Sequence, residues 1–203
     1  MLETTGGEFF FHPNLAQLRL KNLRLGQGDH LVEAMALAPG MRVLDATLGL
    51  ATDATVASFA VGAEGKVTGL ESSPLIAAVV SHGLKHFKAV NYPLQEAMRG
   101  IEVIHTDYLA YLKQTPDKTF DAVYFDPMFR HPFMASSHLN PLRSLADHRP
   151  VSGEAVREAC RVAKRRVVLK ESSHSEEFQR LGFTKIVGGR YSKIHYGIIE
   201  VSR

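Results

Sequence analysis

The chain has 203 residues, 45% of them hydrophobic and 22% charged, with a formal net charge of +3 at neutral pH. That length and apolar content suit one domain with a buried core, while runs such as "PLIAAVV" are broken by polar groups well short of the roughly 20 residues a membrane-crossing helix needs. A lone cysteine, Cys160, excludes an internal disulfide and, within "REACRVA", reads as core filler.

Residues 1–38 read as a mostly helical lead-in. The opening "MLETTGGEFFFHPN" is acidic and lacks the basic start of a secretory signal, so a cytoplasmic location is expected. Its "FFF" at 9–11 reads as a hydrophobic clamp onto a sheet. "NLAQLRLKNLRL" has apolar residues at helical spacing, and "GDHLVEAMAL" starts a helix behind Asp29 as N-cap. After "APG", strands and helices alternate. "MRVLDAT" is a strand, "DATVASFAVG" a helix closed by Gly62, "KVTGLES" a strand, and "PLIAAVVSHGLKHF" a helix with Pro74 in its first turn. The small helix "PLQEAMR" leads to the strand "IEVIHTD", the helix "YLAYLKQ" and the strand "FDAVYFD". A long loop over 127–150 is followed by the helix "SGEAVREACRVA", the strand "RVVLKES", the helix "SEEFQRLG" and the strands "FTKIVG" and "IHYGIIEV". Such alternation implies an α/β fold, a mostly parallel sheet with helices on both faces. The last two strands have no helix between them, which places an antiparallel pair at one edge. No repeat or linker divides the chain. From residue 151 onward eleven Lys and Arg stand against six Asp and Glu, including "KRR" at 164–166, a surface suited to a polyanion.

Four strands end in acids: Asp45, Glu71, Asp107 and Asp126. In an open parallel sheet ligands bind beyond the carboxyl ends of the strands, so these acids should share one rim. In "VLDATLGLATDA", Asp45, Thr47 and Gly49 form a strand-to-helix turn whose glycine lets a ligand approach the backbone. The turn lacks the three glycines of a pyrophosphate-binding fingerprint. Glu71, 26 residues after Asp45, lies where such folds place a carboxylate that bonds ribose hydroxyls. A nucleoside without phosphates satisfies both observations. In "VYFDPMFRHP", Asp126 and the Pro127 carbonyl offer hydrogen-bond acceptors and Phe129 a flat ring for stacking a base, worth roughly 1–3 kcal/mol. Arg130 and His131 are placed to meet phosphates. The loop that follows is long enough for a lid or substrate loop. Lys170, at its strand end, suits contact with substrate or a capping role. His82 and His86 have i, i+4 spacing, but no third ligand accompanies them and no metal is expected.

The ordered set "VLDATLGLATDA", Glu71, "HTD" and "DPMF" resembles the motifs of class I S-adenosylmethionine-dependent methyltransferases, over residues 40 to 200. More narrowly, "DAT-G", "TDA" and "DPMF" before a basic residue are similar to the bacterial small-subunit ribosomal RNA guanine-N2 methyltransferases, and "FFFHPNLAQLR" with "RVAKRRVVLKE" to a Firmicutes-like branch of them. The resemblance implies a Rossmann-like seven-stranded sheet, mostly parallel with an antiparallel terminal strand, over a domain at 39–203. It implies S-adenosyl-L-methionine as cofactor, bound by Asp45, Thr47, Gly49, Thr52, Asp53, Glu71, Ser72, Asp107, Tyr108 and Asp126. Asp45 and Gly49 would shape the methionine end, Thr52 and Asp53 would contact the cofactor, Glu71 would hold the ribose and Ser72 the adenine side, and Asp107 with Tyr108 would border the base. Asp126, Pro127 and Phe129 would be catalytic, and Phe129, Arg130 and His131 would meet the RNA. Thr52 stands where that family usually has arginine, and Met128 where amino-group methyltransferases more often carry proline. The expected reaction is methyl transfer to an exocyclic amino group of an RNA base, guanine N2 of ribosomal RNA. A small-molecule or protein methyltransferase, or a non-catalytic RNA-binding or assembly module, remain open, as does a role of the lead-in in pairing two protomers as a homodimer.

Overall fold

The computed structural model describes residues 2–4, 7–89, 91–127 and 145–201. A short antiparallel hairpin, β1 (Leu2–Thr4) and β2 (Gly7–Phe9), precedes the helices α1 (Asn14–Arg24) and α2 (His30–Met35). The chain then alternates through β3 (Arg42–Asp45), α3 (Thr52–Val61), β4 (Lys66–Glu71), α4 (Pro74–His86), α5 (Tyr92–Arg99), β5 (Ile101–His105), α6 (Tyr108–Gln114) and β6 (Phe120–Phe125). Beyond residue 145 come α7 (Gly153–Val162), β7 (Ala163–Ser172), α8 (Glu177–Arg180), β8 (Lys185–Val187) and β9 (Ile194–Glu200).

The main sheet has seven strands in the order β5-β4-β3-β6-β7-β9-β8. The strands from β5 across to β7 are parallel, β9 runs antiparallel to β7, and β8 pairs antiparallel with β9. This is the mostly parallel sheet with an antiparallel terminal strand that the alternation implied. Successive strands move one way from β3 to β5 and the other way from β6 to β7, so the switch point lies between β3 and β6, and the crevice above their carboxyl ends is the expected ligand site.

Period-two alternation sorts the strand side chains into two cores. Val43, Val67, Ala122, Tyr124, Val168 and Ile198 face one core, shared with α1 to α5. Leu44, Leu70, Val123, Phe125, Val167 and Leu169 face the other, shared with α6, α7 and α8. Strands covered on both faces carry apolar residues at nearly every position, which is why these runs are continuously hydrophobic. On α4, Ile76, Val80 and Leu84 recur every fourth residue and make one buried stripe.

The lead-in holds the two expected helices, preceded by a hairpin that the sequence did not suggest, and Phe11 packs directly on a helix. Phe9 and Phe11 are buried and Phe10 is half exposed. Phe11 fills the space over Gly83 of α4, where a Cβ would come within 2.2 Å of its ring, and meets Phe87 edge-on at 6.0 Å. Ala16, Leu20, Leu31, Ala34 and Met35 join the first core, so the lead-in and the sheet share one hydrophobic interior. Among the described residues no helix is long and apolar enough to cross a membrane.

Candidate active site

The turn after β3 sets the site. Gly49 and Ala51 both have left-handed backbone, with φ of 50° and 59°. Glycine adopts this freely, whereas alanine does so at a cost of roughly 1–2 kcal/mol, so the turn holds a shape that helix propensity alone would not choose. It is pressed onto the sheet at Gly69 of β4, where a Cβ would lie 2.4 Å from Leu48. Asp45, fully buried, accepts the Thr47 N–H at 3.1 Å, and the Thr47 hydroxyl accepts the Asp126 N–H at 2.6 Å. Thr47 thereby ties the end of β3 to the end of β6.

Two cavities open on this turn. The first, about 580 Å³, is lined by Thr47, Gly49, Leu70, Glu71, Ser72, Ile76, Thr106, Tyr108, Asp126, Pro127, Asp147, Arg149 and Val151, with Ala46 and Ala146. Glu71 accepts the Gly49 N–H at 3.1 Å and the Ser73 N–H at 2.8 Å. Burial pushes its carboxyl above the usual range, and those backbone N–H groups partly offset the rise. Tyr108 stands edge-on to Phe125 at 5.7 Å. Arg149 closes one side through Asp107 at 2.7 Å and Asp147 at 2.6 Å.

The second cavity, about 1,150 Å³, lies on the other side of the same turn, between it, α1 and the end of β7. Its lining includes Leu15, Leu18, Arg19, Asp45, Leu48, Leu50, Thr52, Asp53 and Lys170. Thr47, Gly49, Asp126 and Pro127 border both cavities.

An ionic chain runs beneath the second cavity. Arg19 grips Asp29 with two bonds of 2.8 Å and also donates to Asp53. Asp29 in turn caps α2, as expected, accepting the Leu31 and Val32 N–H groups. Asp53 accepts the Tyr124 hydroxyl at 2.7 Å and the Lys170 ammonium at 2.8 Å, and Lys170 reaches Asp126 at 2.8 Å. Burial alone would raise the Asp53 carboxyl, but Lys170 and Arg19 overcome it and hold Asp53 well below the ordinary range. Burial would depress the Lys170 ammonium, but Asp126 and Asp53 push it well above its ordinary value. Asp126, desolvated and beside Asp53, is raised to about 6 despite Lys170. Burial pushes Asp45 up to about 8, only partly offset by the Thr47 N–H.

The structure therefore gathers Thr47, Gly49, Glu71, Ser72, Tyr108, Asp126 and Pro127 around the first cavity, and Asp45, Thr52 and Asp53 around the second. Asp107 lines neither; it caps α6 through the Ala110 N–H at 3.0 Å and holds Arg149. Phe129, Arg130 and His131 lie outside the described residues. The "KRR" run opens β7, at the amino end of a strand parallel to β6, and so sits on the opposite rim from the cavities. There Lys164 pairs with Asp121 and Arg166 with Glu200. Arg19, Arg149 and Asp147 were not picked out from sequence.

A family described as "Putative SAM-dependent methyltransferase" matches residues 10–190. The "Uncharacterized protein YpiP" of Bacillus subtilis is 41% identical over 197 residues, covering 97% of this chain and 76% of that protein. Ribosomal RNA small subunit methyltransferase J of Alteromonas mediterranea is 29% identical over 156 residues, covering 74% of this chain. The chain spans 58% of that relative's length. A crystal structure of an S-adenosylmethionine-dependent methyltransferase from Neisseria gonorrhoeae superposes with a TM-score of 0.66 at 19% identity, covering 99% of this chain and 77% of that one, and shares the fold. The chain belongs to the S-adenosylmethionine-dependent methyltransferase family and uses that cofactor.

Proposed function

We propose that the protein transfers a methyl group to the exocyclic amino group of a base in RNA, guanine N2 of ribosomal RNA. One observation carries the reading: two cavities meet at a single rim formed by Thr47, Gly49, Asp126 and Pro127, so a donor in one and an acceptor in the other approach each other at Asp126. The likeness to ribosomal RNA small subunit methyltransferase J supports RNA as the acceptor.

The first cavity fits the nucleoside end of the cofactor. Glu71 stands at the end of β4 with oxygens able to accept further bonds from ribose hydroxyls, beside apolar Ile76, Tyr108 and Val151 for a flat base. At Gly49 an added Cβ would meet no atom nearer than 4.0 Å, leaving room for a ligand against the backbone. Ser72 sits on the adenine side, and Asp45, Thr52 and Asp53 support the methionine end from beneath the turn. Asp107 acts on the base side through Arg149.

When bound, the cofactor supplies a methyl group on a sulfonium sulfur, whose bond to carbon breaks with its electron pair as the acceptor nitrogen forms the new one. The chain's task is orientation, worth several kcal/mol when reacting atoms are held in line. Above pH about 6 Asp126 is ionised, accepts a hydrogen bond from the amino group and takes the proton the nitrogen sheds. The Pro127 carbonyl accepts the second amino hydrogen. Phe129 provides the stacking face and Arg130 and His131 meet flanking phosphates.

The test is methyl transfer from labelled cofactor to small-subunit ribosomal RNA from a strain lacking the gene, read by mass spectrometry of the nucleosides. N2-methylguanosine is expected. A methyl group on another nucleoside position overturns the guanine assignment, and transfer only to protein or small molecules overturns RNA as acceptor.

A further inference from the structure

We propose that Lys170 is a positioning residue for methyl transfer: its ammonium, clamped between Asp53 and Asp126, fixes one oxygen of Asp126 and supplies the positive charge that offsets the buried acids beside this carboxylate. The inference rests on Asp126 acting at the acceptor.

The geometry is specific. Lys170 Nζ lies 2.8 Å from Asp53 Oδ2 and 2.8 Å from Asp126 Oδ2, so the same ammonium bonds both acids. Asp53 is itself held by Arg19 of α1 and by the Tyr124 hydroxyl of β6, which fixes where the lysine can sit. Lys170 engages Oδ2 of Asp126, leaving Oδ1 for the acceptor. The Asp126 N–H is pinned by Thr47, so backbone and side chain are both immobilised. Such second contacts are what hold a reacting group within the fraction of an ångström that catalysis requires.

Electrostatics explains why a cation is needed there. The groups facing Asp126 are Asp45 from β3, Asp53 from α3, Lys170 from β7 and the Tyr124 hydroxyl from β6. Arg19 and Asp29 act through Asp53, and Tyr196 of β9 acts through Lys170. Without the ammonium, Asp126 would face two other acids in a desolvated pocket and would hold its proton, losing the acceptor it offers the amino group. Lys170 is not itself a base. Two carboxylates keep it charged across the working pH range.

The experiment is the pH dependence of kcat on small-subunit ribosomal RNA at saturating cofactor, with cofactor binding and thermal unfolding measured on each variant. Lys170→Met should lower kcat at neutral pH and move the acidic limb upward by about 1–3 pH units, the shift an adjacent opposite charge produces. Cofactor affinity should stay within a few-fold, and Lys170→Arg should restore the limb. Asp53→Asn removes a like charge and frees the lysine for Asp126, so the limb should move downward. A structural role alone would not shift the profile in opposite directions. Superimposed profiles for Lys170→Met and wild type, or a change in KM with kcat intact, overturn the proposal. If Lys170→Met does not fold, an unmoved limb in Asp53→Asn overturns it instead. Asp126→Asn separates the two readings. A fully active Asp126→Asn removes the acceptor-side role of Asp126 itself, whereas an inactive one with unmoved limbs elsewhere removes only the role of Lys170.

Discussion

The two sides of the β3–α3 turn are built from opposite materials. On the side of the first cavity, Glu71 is held by the N–H groups of Gly49 and Ser73, and most of the wall is glycine, hydroxyl and apolar side chains, with its ion pairs, Arg149 to Asp107 and Asp147, at the solvent edge. On the other side, Asp53 and Asp126 are held by the side chains of Lys170, Arg19 and Tyr124. The first side is set by the path of the backbone. The second depends on formal charges taken out of water, which are stable only while every partner is present. The two sides should therefore respond differently to loss of one group: the backbone-built side by weaker binding, the charge-built side by lost chemistry.

The sharpest way to break this contrast is a pair of substitutions. Asp126→Ala should cut kcat by about 10²–10⁴-fold, the usual worth of a group that moves a proton in the transition state. Affinity for S-adenosylmethionine, measured by calorimetry, should stay within a few-fold. Glu71→Ala should do the reverse. Losing a charge-assisted bond to a ribose hydroxyl should weaken cofactor binding by roughly 10- to 100-fold, at about 1.5–3 kcal/mol for a bond to a charged group. At saturating cofactor its kcat should change much less. If both variants lose binding and turnover alike, the two sides are not separable and one network runs through the site.

A third substitution sharpens the comparison by deforming the turn without touching a charge. In Gly69→Ala the new Cβ would collide with buried Leu48 at 2.4 Å. Overpacking of this kind costs roughly 1–3 kcal/mol, which for a chain of this size lowers the melting temperature by roughly 2–12 °C. Because Leu48 shares the turn with Gly49, cofactor affinity should fall with stability. A melting temperature equal to wild type would show that the turn yields freely.

The same contrast explains what could be read from sequence. The backbone-built side is local: Asp45, Thr47 and Gly49 lie in one five-residue stretch, and Glu71 ends the next strand, so strand-end acids and a turn glycine sufficed to find it. The elements were legible for the same reason. α6 runs over Tyr108–Gln114, the stretch that periodicity marked, and Gly62 closes α3 with φ of 67°. The charge-built side joins residues 19, 53, 126 and 170, brought together only when α1 packs on α3 and β7 aligns beside β6. No spacing rule links them. Lys170 drew notice at its strand end without a partner to give it a role. Asp107 caps α6 and also anchors Arg149, which lines the first cavity, a link made only in the folded chain. The "KRR" run has the composition of a polyanion site, but strand direction carries it to the far rim.

The last prediction concerns Asp45, which sits where the two sides meet. It accepts a backbone N–H from Thr47 as the first side would, yet it lies in the field of Asp53 and Asp126. Burial raises its carboxyl to about 8, while in the unfolded chain it ionises near about 4. Between those values the folded protein binds more protons at this group than the unfolded one does. Its contribution to stability is therefore fully present below pH about 4 and is lost as pH rises toward about 8. Asp45→Asn keeps an oxygen for the Thr47 N–H but has no proton to lose. The melting temperature of the ligand-free variant should thus exceed that of wild type by a margin that grows from pH 5 to pH 8. A margin that stays constant across this range would mean that Asp45 is ionised in the folded protein and belongs with Asp53 and Asp126. The boundary between the backbone-built and charge-built halves would then lie one strand further into the sheet.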